Sequence, residues 1–168
     1  MTSTPGRGKL PLSARQHLPG WLPVLLWMAV LFSASTEMGA SRRTSQILIP
    51  LLRWLVPDIK PATLDHAQFF VRKTGHAAGY AILAALLWRV RRLTRLEGKQ
   101  VGWAKDAAFA FVVAAAFAAS DEWHQTLTAS RQGSLTDVAL DTAGAGGGLL
   151  LIWLWRRWRR GEEPRPSK

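Results

Sequence analysis

Residues 107–122 read AAFAFVVAAAFAASDE: fourteen residues without a charge, followed at once by two acids. An α-helix rises about 1.5 Å per residue, so the uncharged part makes about 21 Å of helix, whereas the apolar core of a bilayer is about 30 Å thick. Lys105 on the other flank has a long side chain that can extend toward the headgroups. The shorter side chains of Asp121 and Glu122 reach less far. The stretch therefore predicts a membrane-spanning helix with two acids at or below the outer edge of the apolar core.

Three further apolar blocks are long enough to be considered as spans, which need about 20 such residues. They are residues 18–36, 74–88 and 138–155. The connection between the first two is long, and within it residues 47–56 form a shorter apolar stretch that Pro50 interrupts, which favours an interfacial or re-entrant position. The sequence thus predicts an all-α polytopic membrane protein. Its expected architecture is a four-transmembrane-helix bundle with an interfacial or re-entrant helix in the first outer connection.

The composition excludes some classes of protein. A net charge of +11 and a pI near 11.4 are typical of nucleic-acid-binding modules. Nine tryptophans and 48% hydrophobic residues, gathered in blocks, argue against such a module, so membrane lipids rather than nucleic acid are the expected partners. The chain has no cysteine, which excludes disulfides and thiol chemistry. No oligomeric state is predicted.

The distribution of basic residues predicts the orientation, because Lys and Arg on short loops mark the cytoplasmic side. Fifteen of the 22 lie in the N-terminal tail, the second connection and the C-terminal tail, and seven lie in the other two connections. Seven acids fall on that second side and balance its bases. We therefore expect a multi-pass protein of the cytoplasmic membrane with both termini inside. Attraction to anionic headgroups would follow from the same charge.

Three segments are expected along the chain. Residues 1–17 form a disordered basic tail, residues 18–158 the transmembrane domain and residues 159–168 a polar tail. The first apolar block also fits a signal peptide, with basic residues before it and Ala34-Ser35 after it. The three later blocks require membrane insertion under either interpretation.

Polar side chains gather at the predicted outer ends of three spans. Ionisable groups inside a membrane are costly and are candidates for function. Lys73, His76 and Tyr80 share one helix face at spacings of three and seven. The other members of the set are Asp121, Glu122, His124, Gln125, Arg131, Asp137 and Asp141.

Gly144 and Gly148 continue the face of Asp137 and Asp141 and make a small-xxx-small pair. Such a pair lets another helix approach closely. The alternative is a cleft that admits lipid.

Three segments of this set resemble a known family. They are Lys73-Thr-Gly-His76-Ala-Ala-Gly-Tyr80, Ser120-Asp121-Glu122-Trp123-His124-Gln125, and Arg131-Gln-Gly133-Ser134-Leu135-Thr136-Asp137 continuing to Asp141 and Gly144. Together they resemble the VanZ-like family of bacterial membrane proteins over residues 21–155. The resemblance implies a small integral membrane protein of the cell envelope, and the family's namesake is associated with resistance to the glycopeptide teicoplanin.

Three classes of function are open. The first is a protein that binds an amphiphile at the outer leaflet, such as a lipid-linked wall precursor or a lipoglycopeptide. The second is an enzyme on lipid or lipid-carrier substrates that uses acid–base chemistry. The third is a structural component in which the charges hold helices in register. No helical metal motif is present, and no metal or other cofactor is expected.

The candidate residues divide by role. Lys73 and Arg131 would meet a phosphate or carboxylate. The candidate catalytic residues are His76, Asp121, Glu122 and His124, and the candidate substrate-binding residues are Lys73, Tyr80, Gln125, Arg131, Asp137 and Asp141.

Overall fold

The chain forms five helices and no strand in the parts that the structure, a computed structural model, describes, which are residues 12–35, 41–94, 102–126 and 134–161. The helices are α1 Leu12–Ser35, α2 Ser41–Leu55, α3 Pro61–Leu93, α4 Trp103–Thr126 and α5 Leu135–Gly161. The all-α prediction is confirmed. Helix α1 begins inside the segment assigned above to the N-terminal tail.

Helix α3 is the longest element, with 33 residues and a length of about 50 Å. Pro61 occupies its first turn and follows Lys60 in an extended conformation, a position where proline costs the helix no hydrogen bond. The helix ends where the backbone N–H of Thr94 bonds to the carbonyl of Val90 at 2.9 Å. The segment after Pro61 therefore continues directly into the predicted second span.

Helix α2 passes through Pro50 without ending. Its contacts in the described chain are with α3, where the Ser45 hydroxyl donates to the Gln68 side chain at 2.5 Å. Ile47, Leu51 and Trp54 are exposed along one face. The helix is thus amphipathic, as an interfacial segment would be.

Two helices of the described chain are long and apolar enough to cross a membrane, α4 over its whole length and α5 over residues 135–159. This count differs from the four predicted spans. The apolar part of α1, Pro19–Ser35, is shorter. In α3, basic residues at 72–73 and 89–92 flank an apolar segment of only 15 residues. This segment is shorter than the roughly 20 apolar residues that cross a bilayer.

Helix α3 lies at the centre and contacts each of the other four helices. Tyr80, Leu83 and Leu87 are fully buried on it. Helix α4 offers alanines at positions 110, 114 and 118, all buried, at spacings of four. These small side chains let α4 approach α3 closely.

The contact between α3 and α5 depends on two glycines. A Cβ atom at Gly144 would lie 2.8 Å from the Cα of Ala77, and one at Gly148 would lie 2.7 Å from the carbonyl oxygen of Ala81. Real Cβ atoms do not approach that closely, so only glycine permits this spacing. The glycine pair therefore serves helix packing, and the alternative of a lipid-admitting cleft at these positions is wrong.

The two ends of the bundle differ in chemistry. At one end, here called the carboxylate end, Asp121 and Glu122 lie in the last two turns of α4, and α5 begins. At the other, the arginine end, the guanidinium groups of Arg92 and Arg156 lie 4.9 and 5.3 Å from the centre of the Trp88 ring. Asp106 is also buried there, 4.0 Å from Arg91, and was not among the residues predicted from the sequence.

Candidate functional site

The carboxylate end brings together polar side chains from four helices. Helix α1 contributes Ser35 at its last turn, and α3 contributes Lys73 and His76 in its first half. The last two turns of α4 and the first two of α5 supply the acids. These segments are far apart along the chain and meet only because the helices alternate in direction.

Lys73 and Asp137 form an ion pair between α3 and α5. Their side chains retain 20% and 32% of their exposure, so water screens the pair only in part. The Lys73 ammonium also lies 5.5 Å from the centre of the Phe69 ring, within the range of a cation–π contact. Lys73 is thereby held at the boundary between polar and apolar surroundings.

His76 and Asp141 face each other one turn deeper. The His76 Nδ1 lies 3.7 Å from Asp141 Oδ2, which is longer than a hydrogen bond. The Asp141 side chain is only 8% exposed. The pair is an ion pair when the imidazole carries both protons, and in either state His76 is the basic group facing this buried carboxylate.

Asp121 and Gln125 stand one turn apart on α4 and face α1. The amide group of Gln125 donates a hydrogen bond to the Ser35 hydroxyl and another, at 3.4 Å, to Asp121 Oδ2. Asp121 is buried, and its second oxygen has no hydrogen-bond partner among the described residues. A buried carboxylate with an unpartnered oxygen is costly for the fold.

Glu122 links α4 to the beginning of α5. Its Oε1 accepts a hydrogen bond from the backbone N–H of Ser134 at 2.6 Å. The N–H groups at the start of a helix have no partner within the helix, and a negative charge there is favourable. Glu122 therefore provides a hydrogen-bond acceptor for the backbone N–H of Ser134, the residue that precedes α5.

A polar cavity of about 170 Å³ lies between these groups. Its lining comprises Arg72, Lys73, His76, Glu122, Gln125, Asp137, Leu140 and Asp141. Next to it an open, mostly apolar groove of about 620 Å³ runs between α3 and α5. The groove is lined by Phe69, Phe70, Lys73, Thr74, Ala77, Ser134, Thr136, Asp137 and Leu140. The two spaces share Lys73, Asp137 and Leu140.

Six of the ten residues singled out from the sequence line the polar cavity. Asp121 is buried beside it through the Gln125 contact. Tyr80 is fully buried in the core, with its ring 6.2 Å from that of Phe117. His124 is exposed and does not line the cavity; its ring packs against that of Phe32 in a tilted arrangement, with centroids 4.7 Å apart. Arg131 lies outside the described residues.

Other lining residues of the two spaces were not predicted from the sequence. Arg72, which precedes Lys73 directly, was not among the candidate residues. Leu140 is one turn after Asp137 and shares its face, a spacing that could have indicated it. The apolar groove had no signal in the sequence, because it depends on how far α3 and α5 separate. Among the described residues no group of three or more metal-binding side chains could hold an ion.

Comparisons with known proteins identify the family of the chain. A family model described as VanZ/LLP1 matches residues 21–156. A curated relative, the "Uncharacterized membrane protein YwnJ" of Bacillus subtilis (strain 168), is 32% identical over 139 residues, which cover 79% of this chain and 84% of the relative. No solved structure matches. The chain is therefore a membrane protein that belongs to the VanZ/LLP1 family.

Proposed function

We propose that α1, α3, α4 and α5 all cross the cytoplasmic membrane and that both termini lie in the cytoplasm. Large apolar side chains are exposed on α4 and α5 and also on the two helices with shorter apolar segments, for example Leu25 on α1 and Ile82 on α3. A bilayer is the solvent that such surfaces require. The basic residues at positions 89–92 and 156–159 then face the cytoplasm, in keeping with the positive-inside rule.

This orientation turns the carboxylate end toward the outer leaflet. We propose that the protein binds an amphiphile there, with the head in the polar cavity and the chain in the apolar groove. The observation that carries this proposal is that the two spaces are adjacent and share Lys73, Asp137 and Leu140 in their linings. A lipid with a polar head and an apolar tail is the ligand that two such adjoining spaces fit.

A lipid-linked wall precursor or a lipoglycopeptide has this amphiphilic form and is present at the outer leaflet. Binding either one would alter the access of a glycopeptide antibiotic to its target. We therefore propose that the protein contributes to teicoplanin-type resistance in the bacterial envelope. The family to which the chain belongs and the position of the cavity support this role.

The test of resistance is a susceptibility assay in a host that lacks the protein. Wild-type protein is expected to raise the inhibitory concentration of teicoplanin. Glu122→Gln and Arg131→Ala are expected to lose the effect at matched membrane abundance. Asp58→Asn, at an exposed turn between α2 and α3, is the control. Equal susceptibility with and without the wild-type protein would remove the resistance role.

Binding itself is tested on the apolar groove. Phe70 is 65% exposed on the groove wall, so Phe70→Ser can lower chain binding without opening the core. A contact worth about 1.4 kcal/mol changes affinity about tenfold. Native mass spectrometry of the purified protein with phospholipids measures the loss. Val112→Ser, equally exposed on α4 but distant from the groove, is the matched control.

A membrane-embedded enzyme is the second candidate, and the His76–Asp141 pair favours it. An imidazole faced by a buried carboxylate is a common arrangement for a general base. Loss of such a base lowers turnover about 10²- to 10⁴-fold. In that case His76→Gln would lower the release of lipid headgroups by this factor, measured by mass spectrometry of reconstituted membranes. An amphiphile-binding protein without chemistry would release none in its wild-type form.

A further inference from the structure

The charges around the polar cavity are not balanced. Its lining contains two bases, three acids and one histidine. Lys73 and Asp137 compensate each other in their ion pair. With histidine counted as neutral, Arg72 then stands against both Glu122 and Asp141. The described lining therefore carries one more negative than positive charge, and a ligand that is only anionic is disfavoured there.

Arg72 is the base available to a ligand. It lines the cavity and is half-buried. Within the described ranges it makes no ion pair or hydrogen bond. A guanidinium presents a planar fork of donors that matches the oxygens of a phosphate or carboxylate. One part of the cavity is therefore suited to an anionic group.

Asp141 and Glu122 offer the opposite chemistry. Asp141 is buried, and its basic neighbour His76 is 3.7 Å away, beyond hydrogen-bond distance. Glu122 uses Oε1 for the Ser134 N–H, which leaves acceptor positions on the carboxylate. A primary ammonium group has three donors and a positive charge. It would compensate the excess of acid and occupy these acceptors.

We propose that the ligand of the polar cavity is a zwitterionic amphiphile with a primary ammonium group near a phosphate or carboxylate. This inference rests on the proposed binding of an amphiphile. The ammonium faces Asp141 and Glu122, the anionic group faces Arg72, and the chain follows the apolar groove. Cavities of about 150 Å³ admit a molecule the size of benzene, so the 170 Å³ present here accept a small head of this kind.

The experiment compares headgroups on one wild-type protein. The purified full-length chain is titrated with phosphatidylethanolamine, phosphatidylcholine and phosphatidylglycerol of identical chains, and binding is measured by native mass spectrometry. Phosphatidylethanolamine is expected to bind about tenfold or more tightly than phosphatidylglycerol, which lacks the cation. Phosphatidylcholine, whose quaternary nitrogen has no N–H donor, is expected to bind more weakly than phosphatidylethanolamine.

A competition experiment with a soluble headgroup distinguishes a membrane lipid from a soluble zwitterion as the ligand. O-phosphoethanolamine carries the head without the chains. If it competes only weakly, the ligand is a membrane lipid; if it binds as tightly as the lipid, the ligand is a soluble zwitterion.

Two variants then test which residues bind the anionic group and the ammonium group of the ligand. Arg72→Gln should weaken the binding of phosphatidylethanolamine and phosphatidylglycerol alike, because both carry the phosphate. Asp141→Asn should reduce the preference for phosphatidylethanolamine over phosphatidylglycerol, because it removes a partner of the ammonium group. Arg53→Gln and Asp58→Asn, exposed and outside the cavity, should leave the binding and this preference unchanged. If the wild-type protein binds phosphatidylglycerol as tightly as phosphatidylethanolamine, the proposal of a zwitterionic headgroup is wrong. The proposed binding of an amphiphile would still stand. Failure of every lipid to bind would remove both.

Discussion

Two adjacent acids show how much the environment of a single residue decides. Asp121 and Glu122 differ by about 100° around α4, because successive residues are spaced at 3.6 per turn. Asp121 faces Gln125 and retains an unpartnered oxygen among the described residues. Glu122 faces α5 and accepts the Ser134 N–H. The bond to Ser134 stabilises the contact between α4 and α5, whereas one oxygen of Asp121 is buried without a partner in the described part of the chain.

Glu122→Ala should lower the stability of the fold. The substitution removes an ionised acceptor and leaves the Ser134 N–H without it, and hydrogen bonds to charged groups contribute about 1.5–3 kcal/mol. Glu122→Gln retains an acceptor oxygen and should lose roughly half as much, since charge assistance about doubles such a bond. Thermal unfolding in detergent measures both. Asp65→Asn, exposed on α3, is the control. A Glu122→Ala protein as stable as the wild type would show that this contact contributes nothing.

At the scale of the element, the α3–α5 contact determines the shape of the site. Lys73 and His76 on α3 meet Asp137 and Asp141 on α5 at matching spacings of three and four residues. Gly144 and Gly148 continue the same face of α5 and bring the helix axes close. The polar pairs and the glycine contact are therefore parts of one interface. A substitution at the glycine contact should shift the positions of the polar pairs.

Gly148→Ala should destabilise the protein by about 1–3 kcal/mol, the usual cost of an overpacked contact. The new Cβ would meet the backbone of Ala81. Gly147→Ala is the matched control, because a Cβ there has nothing within 4 Å. It should be neutral or stabilise by up to about 1 kcal/mol through helix propensity. Thermal unfolding separates the two variants, and equal effects would contradict the close α3–α5 packing.

At the scale of the whole molecule, charge divides the bundle. The carboxylate end holds the acids in interhelical contacts, whereas the arginine end places guanidinium groups on tryptophan rings. Exposed apolar side chains occupy the surface between the two. Such a division fits a protein whose ends face two aqueous compartments across a bilayer.

Cysteine labelling tests this orientation cleanly, because the chain has no native cysteine. Asp58→Cys, between α2 and α3, should react with a membrane-impermeant maleimide on intact cells. Gly102→Cys, between α3 and α4, should react only after permeabilisation. Both positions are exposed, so burial does not explain a difference. Labelling of both positions from the same side would contradict the proposed N-in, C-in topology.

The class of the protein could be predicted from its sequence because the relevant signals are local. Apolar blocks such as 107–120 and 138–155 predicted α4 and α5, and proline and charge marked several boundaries. The spacing of His76 after Lys73, or of Asp141 after Asp137, placed each pair on one helix face by helical geometry alone. All of these properties belong to a single element and need no knowledge of its neighbours.

The partners of each side chain were decided by the tertiary structure. Spacing along α4 could not predict that Glu122 faces α5 while His124 packs against Phe32. Nor could it predict that His76 would face Asp141 rather than Asp121, Glu122 or Asp137. These outcomes depend on how each helix is rotated and how closely its neighbours approach. Rotation and approach are set by packing over whole interfaces, to which residues distant in sequence contribute together.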